Sequence, residues 1–265
     1  MFIDRFHTTQ QSILYHFTKA ESLLKIVKEM QLKFSCIGTL NDLNDCTIDY
    51  SIANTGIESI NLKKYITQNC KLISFCTNYH FENSQTMQAG YNHPRLWAQY
   101  ADNNTGACIA INEQKFKEII YQKYTDRFCI FEPVDYSLDT QDVIYHNTIS
   151  YEAFVKTHYK HLFFKKHIDW QQEYEERLFI IGTTDQYISI LDCVEFIVLG
   201  NKFEKKTELE DCLANPQNKC YKQFCSRGFA YQSNSLAGNI QAIPDISDSK
   251  RINIPQELQS GNVKE

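Results

Sequence analysis

The chain lacks the sequence features of several large functional classes. Its 265 residues contain no glycine-rich phosphate loop, no G-x-S-x-G and no H-E-x-x-H, so nucleoside triphosphate hydrolysis, serine hydrolysis and zinc proteolysis have no support. No apolar run approaches the roughly 20 residues that span a bilayer. An N-terminal apolar signal region is also missing, so we expect a soluble, cytoplasmic protein with no membrane partner.

Cysteine patterns typical of disulfide scaffolds and metal sites are missing as well. The chain has 10 cysteines but no C-x-x-C pair, and such usage outside a short secreted chain predicts reduced thiols. The nearest approach to a metal cluster is Cys212, Cys220 and Cys225, whose spacing matches no common zinc pattern. We therefore expect no metal.

The composition is that of a folded protein. Hydrophobic residues make up 43% and aromatic residues 13%, against only 9 glycines and 5 prolines. The net charge of −5 gives no overall attraction to nucleic acid, so any polyanion has to be held by a local basic surface. We expect one domain over residues 1–231 and a polar, loosely ordered tail over residues 232–265.

Hydrophobic periodicity predicts helices and strands along most of the chain. Predicted strands cover 12–17, 32–35, 72–77, 107–111, 128–136, 173–182, 194–199 and 223–231, and predicted helices cover 19–28, 57–70, 96–100, 151–168 and 205–214. The long polar loop over 78–94 is typical of a lid or binding loop. This pattern favours the α+β class.

The stretch W-Q-Q-E-Y-E-E-R, residues 170–177, carries the clearest chemical signal. In a strand, Glu173, Glu175 and Arg177 share one face, because successive side chains point to opposite faces. Two carboxylates this close repel each other unless a cation, a substrate hydroxyl or a proton separates them, which is how one of a pair becomes a base. The alternative is an exposed strand face on which Arg177 neutralises its neighbours.

Further candidates are polar and aromatic side chains near predicted strand and helix ends: His16, Thr18, Asn41, Asp42, Trp97 and Tyr100. Each has an alternative that needs no ligand. The histidine can be a satisfied core residue, the loop residues can be turn formers, and the aromatic residues can belong to the core.

The predicted helix over 151–168 is the most basic part of the sequence. Its lysines are interleaved with phenylalanine, tyrosine and histidine, and the candidate nucleic-acid contacts are Lys156, Lys160, Lys165 and Lys166. Such a surface can hold nucleic acid by charge and stacking, or it can be the solvated face of an amphipathic helix.

Several motifs in fixed order resemble a large family of uncharacterised bacterial domains. They are L-Y-H-F-T at 14–18, L-N-D at 40–42, S-F-C-T-N at 74–78, L-W-A-Q-Y-A-D-N-N-T-G at 96–106, V-D-Y at 134–136 and W-Q-Q-E-Y-E-E-R at 170–177. The resemblance covers about residues 13–201. The chain departs from the family at Leu43, where a proline is usual, and at Asp45, which stands for a glutamate.

The H-F-T at the end of a predicted strand and the E-x-E of a late strand also resemble the ADP-ribosyltransferase superfamily, including DarT-like enzymes that modify nucleic acid. This resemblance implies a split mixed β-sheet with flanking helices and NAD as the substrate. It implies transfer to RNA or DNA, as a toxin of phage defence or of a toxin–antitoxin system held in check by an antitoxin or chaperone. The alternatives are a non-catalytic binding module and an NAD glycohydrolase.

The same resemblance implies roles for individual residues. Glu175 would be the catalytic carboxylate, and Glu173 beside it would accept the proton of the attacking nucleophile. Arg177 would hold the pair ionised or bind the pyrophosphate. The NAD-binding residues implied are His16 and Thr18 at the ribose, Asn41 and Asp42 in their loop, and Trp97 or Tyr100 at the nicotinamide.

Overall fold

A computed structural model describes residues 12–37, 56–80, 87–137, 149–182, 186–218, 231–234 and 239–242. Asn41 and Asp42 lie outside these described residues, as does nearly all of the strand predicted over 223–231. Within the described ranges, no helix has the length and apolar character needed to cross a membrane.

Nine strands form one mainly antiparallel sheet. Its path across the sheet is β15 (Asn239–Ala242), β14 (Tyr231–Asn234), β13 (Val194–Leu199), β7 (Ala107–Asn112), β1 (Ile13–Thr18), β4 (Cys70–Cys76), β11 (Glu175–Ile181) and β8 (Cys129–Pro133), with β3 (Ser35–Cys36) also paired to β4. The β13–β14 pair is parallel and the other pairs are antiparallel. The predicted α+β class is confirmed, whereas an ADP-ribosyltransferase-like arrangement stays a prediction.

The described residues also form three small two-stranded sheets. They are the parallel pair β9 (Asp135–Ser137) with β10 (Lys165–His167), and the antiparallel pairs β2 (Gln31–Lys33) with β12 (Tyr187–Ser189) and β5 (Tyr79–His80) with β6 (Met87–Gln88). The described part of residues 232–265 belongs to β14 and β15, so part of the range predicted as a loose tail extends the sheet.

Among the described residues, six α-helices and two 3₁₀ helices accompany the strands. The α-helices are α1 (Ala20–Glu29), α2 (Gly56–Asn69), α3 (Pro94–Gln99), α4 (Glu113–Tyr124), α5 (Tyr151–Phe163) and α6 (Lys206–Ala214), and the 3₁₀ helices are Gly90–Asn92 and Ile168–Glu173. Described side-chain caps start two of the α-helices: Asn112 accepts the Lys115 N–H before α4, and Ser150 accepts the Ala153 N–H before α5.

The helices cover both faces of the sheet. On β11, Leu178 and Ile180 point into the apolar cluster that includes Phe116 of α4, which defines the α4 face. Phe179 points the other way and stacks on Phe163 of α5, with ring centroids 4.4 Å apart, which defines the α5 face. By strand alternation, Glu175 and Arg177 lie on the α5 face.

A left-handed turn fixes the C-terminal end of α3 against the sheet. Asp102, Asn103 and Asn104 have φ values of 49°, 53° and 70°, and the Asn104 carbonyl accepts the Lys202 N–H at 3.0 Å. Gly200 packs directly on the Asn104 backbone, where a Cβ atom would collide with the carbonyl oxygen. Glycine is needed at position 200 because of this close backbone approach.

Two predicted boundaries near the acidic stretch differ from the structure. The helix predicted over 151–168 ends at Phe163, and residues 165–167 form β10 instead. The strand predicted from Glu173 begins at Glu175, because Tyr174 adopts the left-handed conformation with φ 46° after the 3₁₀ helix.

Candidate active site

Four charged side chains are buried together on the α5 face. Their residues retain exposed fractions of 6% for Lys166, 3% for Glu173, 7% for Glu175 and 1% for Arg177. They come from β10, the 3₁₀ helix Ile168–Glu173 and β11. We call these four residues the charge cluster.

Arg177 and Glu175 form a bidentate ion pair along β11. The Arg177 Nε donates to Glu175 Oε1 at 2.7 Å, and Nη2 donates to Oε2 at 2.9 Å. The third donor, Nη1, reaches the Phe163 carbonyl at the end of α5 at 2.7 Å. The guanidinium is therefore fixed in the protein interior and is not presented to a ligand.

Lys166 joins the two carboxylates. Its ammonium lies 2.6 Å from Glu173 Oε2 and 3.2 Å from Glu175 Oε2. The Tyr100 hydroxyl donates to the other Glu173 oxygen, Oε1, at 3.1 Å. Glu173 thus connects the end of α3 to β10 and, through Lys166, to β11.

The small β9–β10 sheet places Lys166 at this position. Lys166 is the register partner of Tyr136, whose hydroxyl accepts the Glu175 backbone N–H at 2.9 Å. The left-handed Tyr174 then turns the chain, and its carbonyl accepts both the backbone N–H and the hydroxyl of Thr77. Glu173 and Glu175 consequently meet at one ammonium although only Glu175 belongs to the strand.

The surroundings shift the two carboxyl pKa values in opposite directions. Burial disfavours the Glu175 carboxylate, but Arg177 and Lys166 outweigh it and lower its pKa to about 2. Burial raises the pKa of Glu173, with a further rise from the Glu175 charge, and Lys166 only partly opposes this. Two neighbouring carboxyl groups with different pKa values are typical of acid–base chemistry.

The remaining acceptor capacity differs between the two glutamates. A carboxylate has about four lone-pair sites. Glu175 accepts three hydrogen bonds from Arg177 and Lys166 and a further one from the Ser74 side chain. Glu173 accepts from Lys166 and Tyr100. The described hydrogen bonds thus leave Glu173 with more acceptor capacity than Glu175.

Trp170 lies beside the charge cluster within the same 3₁₀ helix. Its ring is 4.9 Å from the Lys166 ammonium and 4.3 Å from the Arg95 guanidinium. Arg95 also donates to the Asp169 carbonyl at 3.1 Å, and the His93 ring is hydrogen-bonded to the Gln172 carbonyl. The start of α3 therefore anchors the segment that carries Glu173.

Glu176 lies on the opposite face of β11. Burial and the neighbouring Glu113 raise its pKa to about 7, with Lys117 opposing the shift. It shares the strand and the residue type of Glu175 but not the charge cluster, which makes it a matched control.

His16 and Thr18 are not part of the charge cluster. His16 lies near Phe75 of the α4-face core, with ring centroids 5.8 Å apart, and its Nδ1 is hydrogen-bonded to the Ser74 carbonyl at 3.1 Å. Burial lowers its pKa. Strand alternation places Thr18, which is 7% exposed, on the same side. Both lie on the face of the sheet opposite Glu175, whereas the resemblance implies ribose contacts on the same side as Glu175.

The two aromatic candidates have different positions. Trp97 is 2% exposed, donates its Nε1–H to the Tyr91 carbonyl at 2.7 Å and packs edge-on against Phe17, so it is a core residue. Tyr100 is half-buried and bonds to Glu173 through its hydroxyl. Only Tyr100 of this pair therefore contacts the charge cluster.

The basic surface in the structure is smaller than the sequence predicts. Lys166 is in the charge cluster, because the helix ends before it and β10 turns it inward. Lys156 pairs with Glu152 at 2.7 Å and Lys160 lies 3.5 Å from Glu132, both with exposed side chains, while Lys165 is half-buried. The exposed lysines are partly neutralised by neighbouring acids.

Sequence reasoning missed Tyr136 and Ser74 and gave Lys166 another role. Their contacts depend on the β9–β10 pairing and the β4–β11 register, which bring residues distant in sequence together. V-D-Y at 134–136 marked Tyr136 only as part of a resemblance. Across the described ranges, no group of three or more His, Cys, Asp or Glu side chains is arranged to hold a metal ion.

Comparison with known proteins relates part of the chain to an uncharacterised family. No curated protein and no solved structure matches the chain, and nothing in these comparisons adds to the resemblance to ADP-ribosyltransferases. Residues 96–178 match the model of a family described as "Protein of unknown function (DUF2971)". The matched range contains Tyr100, Tyr136 and the whole charge cluster, so this part of the chain is similar to an uncharacterised domain family.

Proposed function

We propose that the protein is an NAD-dependent ADP-ribosyltransferase acting on a macromolecule, with Glu173 and Glu175 as its carboxylate pair. The observation that carries the proposal is the buried pair itself, joined by Lys166, with a raised pKa for Glu173 and a lowered pKa for Glu175. The choice of NAD is supported by the sequence resemblance described above. The choice of these residues is supported by the geometry.

In the proposed reaction, the bond between the ribose C1′ and the nicotinamide nitrogen breaks, and nicotinamide leaves with the bonding electrons. A nucleophilic atom of the acceptor forms the new bond to C1′. Positive charge develops on the ribose, and fixed negative charge nearby stabilises it. The proton of the nucleophile goes to Glu173, whose raised pKa makes its carboxylate a stronger base than an ordinary glutamate.

Glu175 has a supporting role in this mechanism. Its oxygens already accept hydrogen bonds from Arg177, Lys166 and Ser74, so it supplies permanent negative charge and fixes the position of Lys166. Arg177 holds Glu175 ionised, which was one of its two expected roles. The other role, binding pyrophosphate, has less support, because the described guanidinium donors end on Glu175 and on the Phe163 carbonyl.

Tyr100 is the aromatic residue that the proposal assigns to the site. Its hydroxyl reaches Glu173 at 3.1 Å, which places its ring at the border of the charge cluster. His16, Thr18 and Trp97 receive no role in substrate binding, because the first two lie toward the α4 face and the third is in the core.

For the acceptor we propose nucleic acid, RNA or single-stranded DNA. The support is the pair of exposed lysines on α5, Lys156 and Lys160, together with the resemblance to DarT-like enzymes. A transferase of this kind acts as a toxin in phage defence or in a toxin–antitoxin system. A cell that makes it needs an antitoxin or chaperone partner.

A second candidate is a non-catalytic binding module. It is favoured by the full compensation of the charge cluster, in which two carboxylates face two cations and Glu175 has no acceptor site left. Such a cluster can be structural alone. The third possibility, an NAD glycohydrolase, uses water as the acceptor in the same mechanism.

The deciding experiment incubates the purified protein with NAD labelled in the adenylate phosphate and with separate pools of cellular RNA, single-stranded DNA and protein. The variants are Glu173→Gln, Glu175→Gln and the control Glu176→Gln, with folding checked by circular dichroism. We expect wild type and Glu176→Gln to label one nucleic-acid pool equally, and Glu173→Gln to label none.

The outcomes separate the three functions. Release of nicotinamide without labelled polymer assigns the protein as a glycohydrolase. Intact NAD in every pool rejects enzymatic use of NAD and leaves the binding module. Equal labelling by wild type and a folded Glu173→Gln variant shows a transferase whose reaction does not need this carboxylate.

A further inference from the structure

Lys166 is the one described residue whose side chain contacts both carboxylates of the charge cluster through a cation. Its ammonium contacts both carboxylates, at 2.6 Å and 3.2 Å, and its side chain is 3% exposed. We propose that Lys166 is a positioning residue that keeps Glu173 deprotonated and fixed beside Glu175. The inference rests on the proposed function for its catalytic meaning, but its effect on Glu173 can be measured without any activity.

The two glutamates depend on Lys166 to different degrees. Glu175 has a second cation, because Arg177 donates to both of its oxygens. Glu173 accepts from Lys166 and from the Tyr100 hydroxyl, which is neutral. Loss of the ammonium therefore removes the charge partner that Glu173 contacts, while Glu175 retains one.

Apart from Lys166, the nearby groups act on the pKa of Glu173 in both directions: the Glu175 charge raises it, and the Tyr100 hydrogen bond lowers it. The groups facing it from the surrounding elements are Lys166 on β10, Glu175 with Arg177 on β11, Tyr100 after α3, Cys76 on β4 and Tyr136 on β9. The two cations in this set are Lys166 and Arg177, and Arg177 is directed at Glu175. A buried carboxylate without a paired cation takes up a proton.

The Trp170 ring reinforces the position of Lys166. The ring lies 4.9 Å from the ammonium, within the range of a cation–π contact, and the strand pairing of Lys166 with Tyr136 fixes the backbone. A lysine held in this way is a fixed charge rather than a mobile surface group. This explains why the most buried lysine of the basic stretch belongs to the site and not to a polyanion surface.

The direct test is a carboxyl titration of the full-length protein labelled with ¹³C at the glutamate side-chain carboxyl carbon. Glu173→Gln assigns the Glu173 signal, and the titration is repeated for Lys166→Met and Lys166→Arg. In Lys166→Met we expect the Glu173 midpoint to rise by at least about one pH unit, a tenfold change in its protonation equilibrium. The Lys166→Arg protein keeps the charge and should stay close to wild type. An unchanged midpoint in Lys166→Met overturns the proposal.

Should Lys166→Met fail to fold, its stability can be compared with that of the Lys166→Met, Glu173→Gln double variant. The double variant lacks the glutamate charge that the single variant leaves uncompensated, so we expect it to fold and to melt at a higher temperature. If both variants are unfolded, or if they have the same melting temperature, Lys166 acts on another group and the proposal fails.

A pH–rate profile connects the inference to catalysis where transferase activity is found. In Lys166→Met, kcat should fall at neutral pH and recover at alkaline pH, with the acid limb moved upward and KM for NAD changed less. A loss of kcat that is equal at every pH means that Lys166 is only structural. If no activity is found, the carboxyl titration still decides the role of Lys166, so failure of the proposed function and failure of this inference are distinguishable.

Discussion

Replacing Glu175 with glutamine removes the anionic partner of a guanidinium that is almost completely buried. Arg177 is 1% exposed, and two of its three described hydrogen bonds end on Glu175. Breaking a buried ion pair on one side typically costs about 3–5 kcal/mol, because the remaining charge is left without compensation. At about 2–4 °C per kcal/mol for a domain of this size, the melting temperature should fall by roughly 6–20 °C.

Thermal and guanidinium unfolding at pH 7, followed by circular dichroism, measure this loss. Glu176→Gln is the matched control, since it makes the same chemical change one residue along the strand and on the opposite face, and it should not lose stability. A second variant, Glu175→Gln with Arg177→Met, removes both charges, and we expect it to regain most of the loss. A cost below about 1 kcal/mol for Glu175→Gln, or simple additivity with Arg177→Met, would refute the described ion pair.

Three further predictions use other parts of the structure. Glu176 has a pKa raised from 4.5 to about 7, so its contribution to stability is present below pH 4.5 and is lost as the pH rises to about 7. The free energy of unfolding of wild type and of Glu176→Gln should therefore be compared at pH 5 and pH 8. Relative to wild type, the variant should be more stable at pH 8 than at pH 5, by up to about 3 kcal/mol. Arg95→Ala removes the guanidinium over the Trp170 ring and should increase acrylamide quenching of the Trp170 fluorescence, which is identified by its loss in a Trp170→Phe variant. Unchanged quenching would contradict this contact. Gly200→Ala places a methyl group against the Asn104 carbonyl and should lower the free energy of unfolding by about 1–3 kcal/mol, and a melting temperature equal to wild type would show that the turn adapts.

The sequence predicted the strands of the central sheet well because their hydrophobic patterns are local. Strands predicted over 107–111 and 194–199 agree closely with Ala107–Asn112 and Val194–Leu199. Helix α4 was not predicted, although Asn112 is a good N-cap and the buried residues Phe116, Ile120 and Tyr124 recur every four positions. That helix could have been found from its cap and its apolar spacing.

Only part of the charge cluster could be predicted from the sequence. Alternation along a strand correctly placed Glu175 and Arg177 on one face and Glu176 on the other. The positions of Lys166 and Glu173 could not be read from periodicity, because α5 ends at Phe163 and the chain then forms β10 and a 3₁₀ helix. Tertiary strand pairing, and not helical propensity, decides where these two side chains point.

A buried ion pair alone argues neither for catalysis nor for stability, since an apolar replacement of similar volume is often equally stable. The proposed catalytic role rests on the unequal use of the two carboxylates in this charge cluster. Glu175 has its acceptor sites filled by Arg177, Lys166 and Ser74, whereas Glu173 accepts two described hydrogen bonds and has a raised pKa. A structural cluster would gain by using those remaining acceptor sites within the protein. An arrangement that fixes one carboxylate completely and leaves its neighbour partly unsaturated is suited to a hydroxyl or a proton from outside, which is the chemistry assigned here to Glu173.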